Sequence, residues 1–483
     1  MVRETPVLGL SERWSLSRNN VGSPITVVYH ASLPAGLVSK HDLETAVTEL
    51  CNAYPILVCG VEKKDSKHPK YAFRKDINPQ DVVKVIDLVS EDSLSDMVDK
   101  AVVRGKSFDV SCGPLWELQL HRYSSSAKQP SRDRIVLLID HVLCDGLGAR
   151  NLFTNLLDIL SGTSVPKQPE DLPSRMDDTV DLRPSSGMNV PSIPSTVATQ
   201  LNAITKSFTS SSSPQQYDKF PPKPSPEYNS ITAPQQFSEL ELLHSELAGL
   251  LSEGKKHGIP TIHPVIHIAC LVALYRAIRP LAAWSFYTSI PISERREDLG
   301  HPHATGNYVT FHFSTDQIST STPFWEHVRG FSSTLRQPET KILARKAMGK
   351  LASIDKDQSE GSAESLWADY LMRMVNDPSG PHKLSLAVSN VGIMDIPTSG
   401  KLSGMVKDVY FTQGASAMGG CAVISIVSTR GGSMTVSLSS KIGSLPPGVF
   451  ESFSQQLKPM LQAVARGDIG EETVAGDSIP GLE

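Results

Sequence analysis

The chain has 483 residues, 39% of them hydrophobic and 20% charged, with 33 Gly and 34 Pro. That balance is ordinary for a soluble globular protein, allows about two buried cores and argues against a disordered chain. The 46 Lys and Arg against 51 Asp and Glu leave a net charge of −5, which argues against nucleic acid as a partner, because a phosphate-backbone binder carries a basic stripe.

In chain order, residues 24–31 are rich in β-branched side chains and predict a strand. Residues 39–54 open on Ser39 and set Leu43, Val47 and Leu50 at helical spacing, the pattern of an amphipathic helix. Residues 94–105 predict a second helix, and 115–123 alternate as a strand does. The run Ile135-Val136-Leu137-Leu138-Ile139 within 134–140 predicts a buried strand, and Leu152, Phe153, Leu156, Leu157 and Leu160 form the apolar stripe of a helix after it. Residues 183–236 then hold 9 Pro and 11 Ser in 54 positions. Proline removes backbone donors and fixes φ, so this stretch predicts a partly disordered crossover linker, with at most one brief helix over 197–208. Beyond it, 239–257 and 262–277 predict helices and 283–290 a strand ending at Pro291. Strands are expected at 309–314, 383–388, 405–412, 422–428 and 434–439, and helices at 323–335, 365–375 and 447–465. The expected organisation is one α/β domain over 1–182, the linker over 183–236, and a second α/β domain over 237–483.

The strongest chemical signal is Asp140-His141-Val142-Leu143-Cys144-Asp145-Gly146, set between the buried strand and the amphipathic helix. A histidine just past a strand end is held by a rigid scaffold, and its imidazole can take a proton from a hydroxyl, amine or thiol near neutral pH. Asp145 follows four residues later across a tight turn, and Gly146 is expected to relieve that turn by adopting positive φ.

The H-x-x-x-D-G run at His141, Asp145 and Gly146 resembles the signature of the coenzyme A-dependent acyltransferase superfamily, with the fungal alcohol acetyltransferase-like branch as the nearest pattern. The segments 11–18, Pro114-Leu115-Trp116, 290–295, Gly306-Asn307-Tyr308, 389–392 and 411–416 look like that branch as well. The resemblance implies an α/β fold of two chloramphenicol acetyltransferase-like sandwich domains, forming a V-shaped pseudo-dimer with a central tunnel. It implies His141 as general base, with Asp145 turned away from the cleft onto an arginine, best matched by Arg295, and with Gly146 supporting the turn. Asn390, Ser389 and Gln413 are implied as oxyanion donors or tunnel wall. The expected reaction moves an acyl group from acyl-coenzyme A to the hydroxyl of a small alcohol or phenol, in fungal secondary metabolism. The alternatives are a carrier-protein-dependent condensation or release enzyme, or a tunnel reused for a cyclisation or isomerisation. No permanently bound cofactor is expected, since acyl-coenzyme A is a co-substrate, and the chain is expected to be a cytoplasmic monomer without a membrane span. Asp140 stands where condensation domains usually carry a second histidine, and the D-F-G-W-G motif of plant relatives is missing.

Other constellations read as structural. The six cysteines form no C-x-x-C pair, so neither a zinc knuckle nor a disulfide framework is expected. His263 and His267 sit four apart but lack the glutamate of H-E-x-x-H, and His301 with His303 makes a weak metal pair, so no metal is expected. Cys144 predicts a small buried wall rather than a nucleophile. Arg345, Lys346 and Lys350 predict a solvated helix face. The first 18 residues lack an apolar segment, so no signal peptide is expected.

Overall fold

The structure of the chain, a computed structural model, describes residues 6–74, 77–88, 94–123, 132–165, 172–183, 218–278, 283–295, 305–355 and 363–479. Its strands are β1 (Thr26–Pro34), β2 (Cys59–Glu62), β3 (Lys70–Phe73), β4 (Val83–Leu88), β5 (Trp116–Tyr123), β6 (Arg132–Asp140), β7 (Asp218–Phe220), β8 (Gln235–Leu242), β9 (Trp284–Ser293), β10 (Val309–Ile318), β11 (His382–Met394), β12 (Lys407–Gln413), β13 (Gly419–Thr429) and β14 (Met434–Lys441). They form two large sheets, one in the order β12-β1-β6-β5-β4 and one in the order β10-β9-β11-β13-β14-β8 with β7 alongside β9, and a small β2-β3 ribbon.

Alternation decides which side chains of the first sheet go where. Val27, Tyr29, Leu118, Leu120, Ile135, Leu137 and Ile139 pack with Leu43, Val47 and Leu50 of the helix Lys40–Ala53 and with Leu152, Phe153 and Leu156 of the helix Gly146–Leu160. Ser39 starts the first of these helices with a capping box: its hydroxyl accepts the Asp42 N–H at 3.1 Å, and the Asp42 carboxylate accepts the Ser39 N–H at 2.8 Å. On the opposite face Val28, Val136 and Leu138 meet Val98, Ala101 and Val102 of the helix Leu94–Gly105. The second sheet buries Leu386, Ile424, Ile426 and Leu438 under the helices His263–Ile278 and Val449–Arg466.

The two sheets share chain. Strand β12, late in sequence, pairs antiparallel with β1, Val27 opposite Gln413. Its backbone also accepts hydroxyls from the second sheet, Thr435 to the Val409 carbonyl and Ser439 to the Gln413 carbonyl, at 2.7 and 2.8 Å. His30 of β1 reaches Glu239 of β8 at 3.2 Å, with both side chains almost wholly buried.

Two expectations change. The segment predicted as a helix from 239 begins as strand β8, and the helix starts only at His244. Leu240 and Leu242 alternate with Glu239 and Glu241, and pairing along β14 turns that alternation into a ladder. Within the expected linker, β7 adds a short parallel strand to β9 and buries Phe220 completely; the brief helix expected at 197–208 and the disorder expected around it lie outside the described residues. The opening segment, given no element from sequence, forms the helix Leu10–Asn20. All six cysteines are free thiols. Among the described residues, no helix is long and apolar enough to cross a membrane.

Candidate active site

Strand β6 delivers His141 to the end of the first sheet. Its backbone N–H donates to the Ile25 carbonyl at 3.1 Å, so the histidine is still tied to the strand neighbouring β6. The turn that follows is held from the other half of the chain: the Asn307 side-chain amide donates to the carbonyls of His141 and Val142 at 3.1 and 3.2 Å. The Tyr71 hydroxyl adds a third restraint on the Val142 carbonyl, at 2.9 Å. His141 is half-buried. Its Nδ1 is enclosed and has no hydrogen-bond partner among the described residues, which leaves the Nε2 edge as the reachable side of the ring. Burial lowers its pKa, the Arg18 guanidinium lowers it further, and Asp145 partly opposes both.

Asp145 caps the helix Gly146–Leu160 by accepting the Gly148 N–H at 2.8 Å. The same carboxylate takes both terminal nitrogens of Arg295, at 2.8 and 2.9 Å, and the Tyr308 N–H at 2.9 Å. Burial alone would raise this carboxyl; the Arg295 guanidinium and the two N–H donors outweigh it and hold the pKa below the usual range. Both oxygens are therefore committed, and Asp145 does not touch the imidazole. Gly148 makes the approach possible, since a Cβ there would lie 3.3 Å from Nη2 of Arg295 and 2.8 Å from the Cys144 Cβ. Gly146 differs from its expected part. It does not adopt positive φ; it opens the helix, and a Cβ on it would stand 3.1 Å from both Phe411 and Val391. Space, rather than backbone freedom, is what that position supplies.

The remaining predicted wall residues lie on the second sheet and on β12. Ser389 is half-buried, opposite Ser425 in the β11–β13 register. The Asn390 side-chain oxygen accepts the Gly392 N–H at 2.9 Å inside its own bulge. Gln413 ends β12 opposite Val27. None of the three hydrogen-bonds to His141 among the described residues. Cys144 is fully buried, and burial pushes its thiol well above the ordinary value, the opposite of an activated nucleophile.

Sequence reasoning missed the helix Leu10–Asn20 as a neighbour of this turn. Asn19 donates to the Asp140 carboxylate at 3.3 Å, and that same oxygen accepts the Val142 N–H at 2.8 Å. Asp140 thus braces the turn on the side away from Asn307. It is fully buried, and burial pushes its pKa up to about 6 against those two donors. Arg18, one residue before Asn19, stacks on Trp14 with 5.0 Å to the ring centroid, and it forms no ion pair among the described residues. Its buried Nε lacks a partner, and burial lowers its pKa to about 10. Asn307 and Arg18 both fell within segments of family likeness, but only the folded chain shows them beside the histidine.

His267 stacks on Phe331 at 4.1 Å, and burial drops His263 to about 3. No metal-holding cluster occurs among the described residues, while His301 and His303 lie outside them. Arg345 binds the buried Glu294 carboxylate at 2.8 Å rather than facing solvent alone.

A model of the alcohol acetyltransferase family matches residues 102–445, most of the chain and all of the turn just described. The chain belongs to that family. A probable alcohol acetyltransferase, FCK4 of Fusarium pseudograminearum, is 26% identical over 124 residues, 26% of this chain and 25% of that protein. The chain thus spans about a quarter of that relative's length. Among solved structures, the TRI3 trichothecene 15-O-acetyltransferase of Fusarium sporotrichioides superposes with a TM-score of 0.66 at 14% identity, covering 95% of this chain and 94% of that one. The condensation domain of the monacolin K polyketide synthase MokA gives 0.61 at 13% identity, over 97% and 98% of the two chains. These likenesses establish the fold, the two-lobed chloramphenicol acetyltransferase-like architecture.

Proposed function

We propose that this protein is an O-acyltransferase that moves an acyl group from acyl-coenzyme A to the hydroxyl of a small alcohol or phenol, with His141 as the general base. The carrying observation is the ring itself: it is fixed by backbone contacts to Ile25 and Asn307, reachable at Nε2, and kept in its neutral form by burial and Arg18. The acceptor oxygen attacks the thioester carbonyl carbon while its proton passes to His141. The tetrahedral intermediate then expels the thiolate, which recovers that proton from the imidazolium. Among the described residues no carboxylate hydrogen-bonds the ring, and Asp145 is spent on Arg295, Gly148 and Tyr308. The base therefore works without a triad partner, in contrast to serine hydrolases.

Turnover of a panel of acyl-coenzyme A donors and hydroxylated acceptors, read by mass spectrometry, tests this reading. The product must gain the acyl mass. His141→Ala is expected to lower kcat by about 10²–10⁴-fold, the contribution of a positioned base. Full activity in that variant removes the assigned role.

A further inference from the structure

The β4 edge of the first sheet carries a concave feature whose lining does not include His141. A cavity of about 390 Å³ opens between β4, β5 and the helix Leu94–Gly105, within the range of small-molecule pockets, about 300–1,000 Å³. Its floor breaks the pattern of its strand. Trp116, Leu118 and Leu120 of β5 enter the core on one face. The alternate positions are Glu117, Gln119 and His121, only 3–4% exposed. A strand face that is buried is ordinarily apolar, and burying polar groups is costly unless each is hydrogen-bonded.

These three are wired in series. Arg104 grips one Glu117 oxygen with two nitrogens at 2.7 and 2.9 Å. The other Glu117 oxygen accepts the Gln119 amide N–H at 2.7 Å, and the Gln119 oxygen lies 2.7 Å from Nε2 of His121. Arg104 thereby neutralises the Glu117 carboxylate, the one acidic group among the described lining residues, while Lys84, opposite Gln119 in the β4–β5 register, adds positive charge. Among the described residues, the Lys84 ammonium makes one long hydrogen bond, to the Gln80 carbonyl at 3.4 Å. Ile86 and Met97 supply the apolar part of the wall.

We propose that this cavity is a binding site, separate from the His141 turn, for a small molecule with one compact anionic head, a carboxylate or a phosphate, on a short apolar body. Lys84 meets the head, and Ile86 with Met97 covers the body. The braced polar floor supplies hydrogen-bonding groups whose positions are already fixed, so binding orders little of the protein.

The test is calorimetric titration of the full chain with hexanoate and with inorganic phosphate, alongside crystals soaked in each. Saturable binding of either probe, with its head at Lys84, supports the site. Tighter hexanoate assigns the carboxylate, and tighter phosphate assigns the phosphate. Lys84→Glu, a substitution on an edge strand, should weaken binding by about tenfold or more, and His141→Ala should leave it unchanged. Absence of saturable binding up to the solubility of both probes overturns the proposal. So does binding that Lys84→Glu leaves intact, or density found only beside His141.

Discussion

Arg295 and Asp145 are 150 residues apart in the chain, yet their side chains meet at 2.8 Å with both nearly closed off from solvent. The contact joins the segment after β9 to the cap of the helix behind His141, so it ties the two sheets together at the turn that matters. Removing one partner strands the other as a buried charge, a loss of about 3–5 kcal/mol. Arg295→Met and Asp145→Ala are each expected to lose that much in urea unfolding. Arg295→Lys should fall between, since it keeps the charge without the two-pronged contact. A loss below about 1 kcal/mol in both truncations, the range of exposed pairs, contradicts the assignment.

Arg18 sets the proton affinity of His141 together with burial. The charged groups around the ring are Arg18 from the first helix, Asp140 and Asp145 on the turn itself, and Arg295 behind Asp145. Burial is the larger influence and stays in place when Arg18 is replaced. Arg18→Gln should therefore raise the His141 pKa toward the ordinary value without reaching it, and Arg18→Lys should largely restore the original. The sign is upward because losing a nearby cation favours the imidazolium. NMR titration of the imidazole, assigned with His141→Ala, reads the shift directly. The acid limb of kcat/KM should follow it to higher pH. A limb that stays in place or moves down in Arg18→Gln refutes the coupling.

Two glycines in helices are expected to respond oppositely to alanine. At Gly148 a Cβ would stand 2.8 Å from the Cys144 Cβ and 3.2 Å from the Gly306 carbonyl. The gain in helix propensity, about 1 kcal/mol, is outweighed by overpacking of about 1–3 kcal/mol. Gly330, within the helix Phe324–Arg336, has open space around the same position. Gly330→Ala should stabilise by up to about 1 kcal/mol, and Gly148→Ala should destabilise and displace Arg295. Thermal unfolding of both variants decides it, and equal shifts would contradict the steric account.

The sequence foretold those elements whose signal is local. Residues 132–140 and 116–123 carry branched runs or alternation that any partner would read the same way, and both form strands close to the expected bounds. The helix Leu10–Asn20 escaped because its buried positions include Ser11, Glu12, Ser15 and Ser17, so no apolar stripe marks it. The start of the helix expected at 239 proved to be strand β8, whose Glu239 is buried against His30 of the other sheet, a pairing between distant parts of the chain. The histidine turn was legible as a motif. Its supports were not: Asn19 and Asn307 hold it through contacts between distant parts of the chain, Arg18 acts on it through its charge, and no local spacing encodes those. The cavity floor was half legible, since the alternation of 116–123 was plain while the burial of its polar face depends on Arg104 and the helix above it.

Glu12 shows how strongly that first helix depends on protonation. It is 5% exposed, and its Oε2 has no hydrogen-bond partner among the described residues. Burial pushes its pKa up to about 8, with Asp177 adding to the effect, so the carboxyl is mostly protonated in the folded chain at neutral pH. In the unfolded chain it titrates near the ordinary value, about 4.3. The folded state therefore holds the proton more tightly, and stability is fully present below that value. It is lost as pH rises through the window up to about 8. Glu12→Gln keeps the shape and removes the titration. The stability of this variant relative to the native chain should climb across that window, by at most about 5 kcal/mol for a shift of this size. Urea unfolding at about pH 5 and about pH 8 measures the difference. The helix also carries Asn19 against Asp140, so the native chain should lose this brace on the His141 turn earlier than the variant as pH rises. A stability difference that is the same at both pH values would show that Glu12 is ionised in the fold and that its burial is compensated.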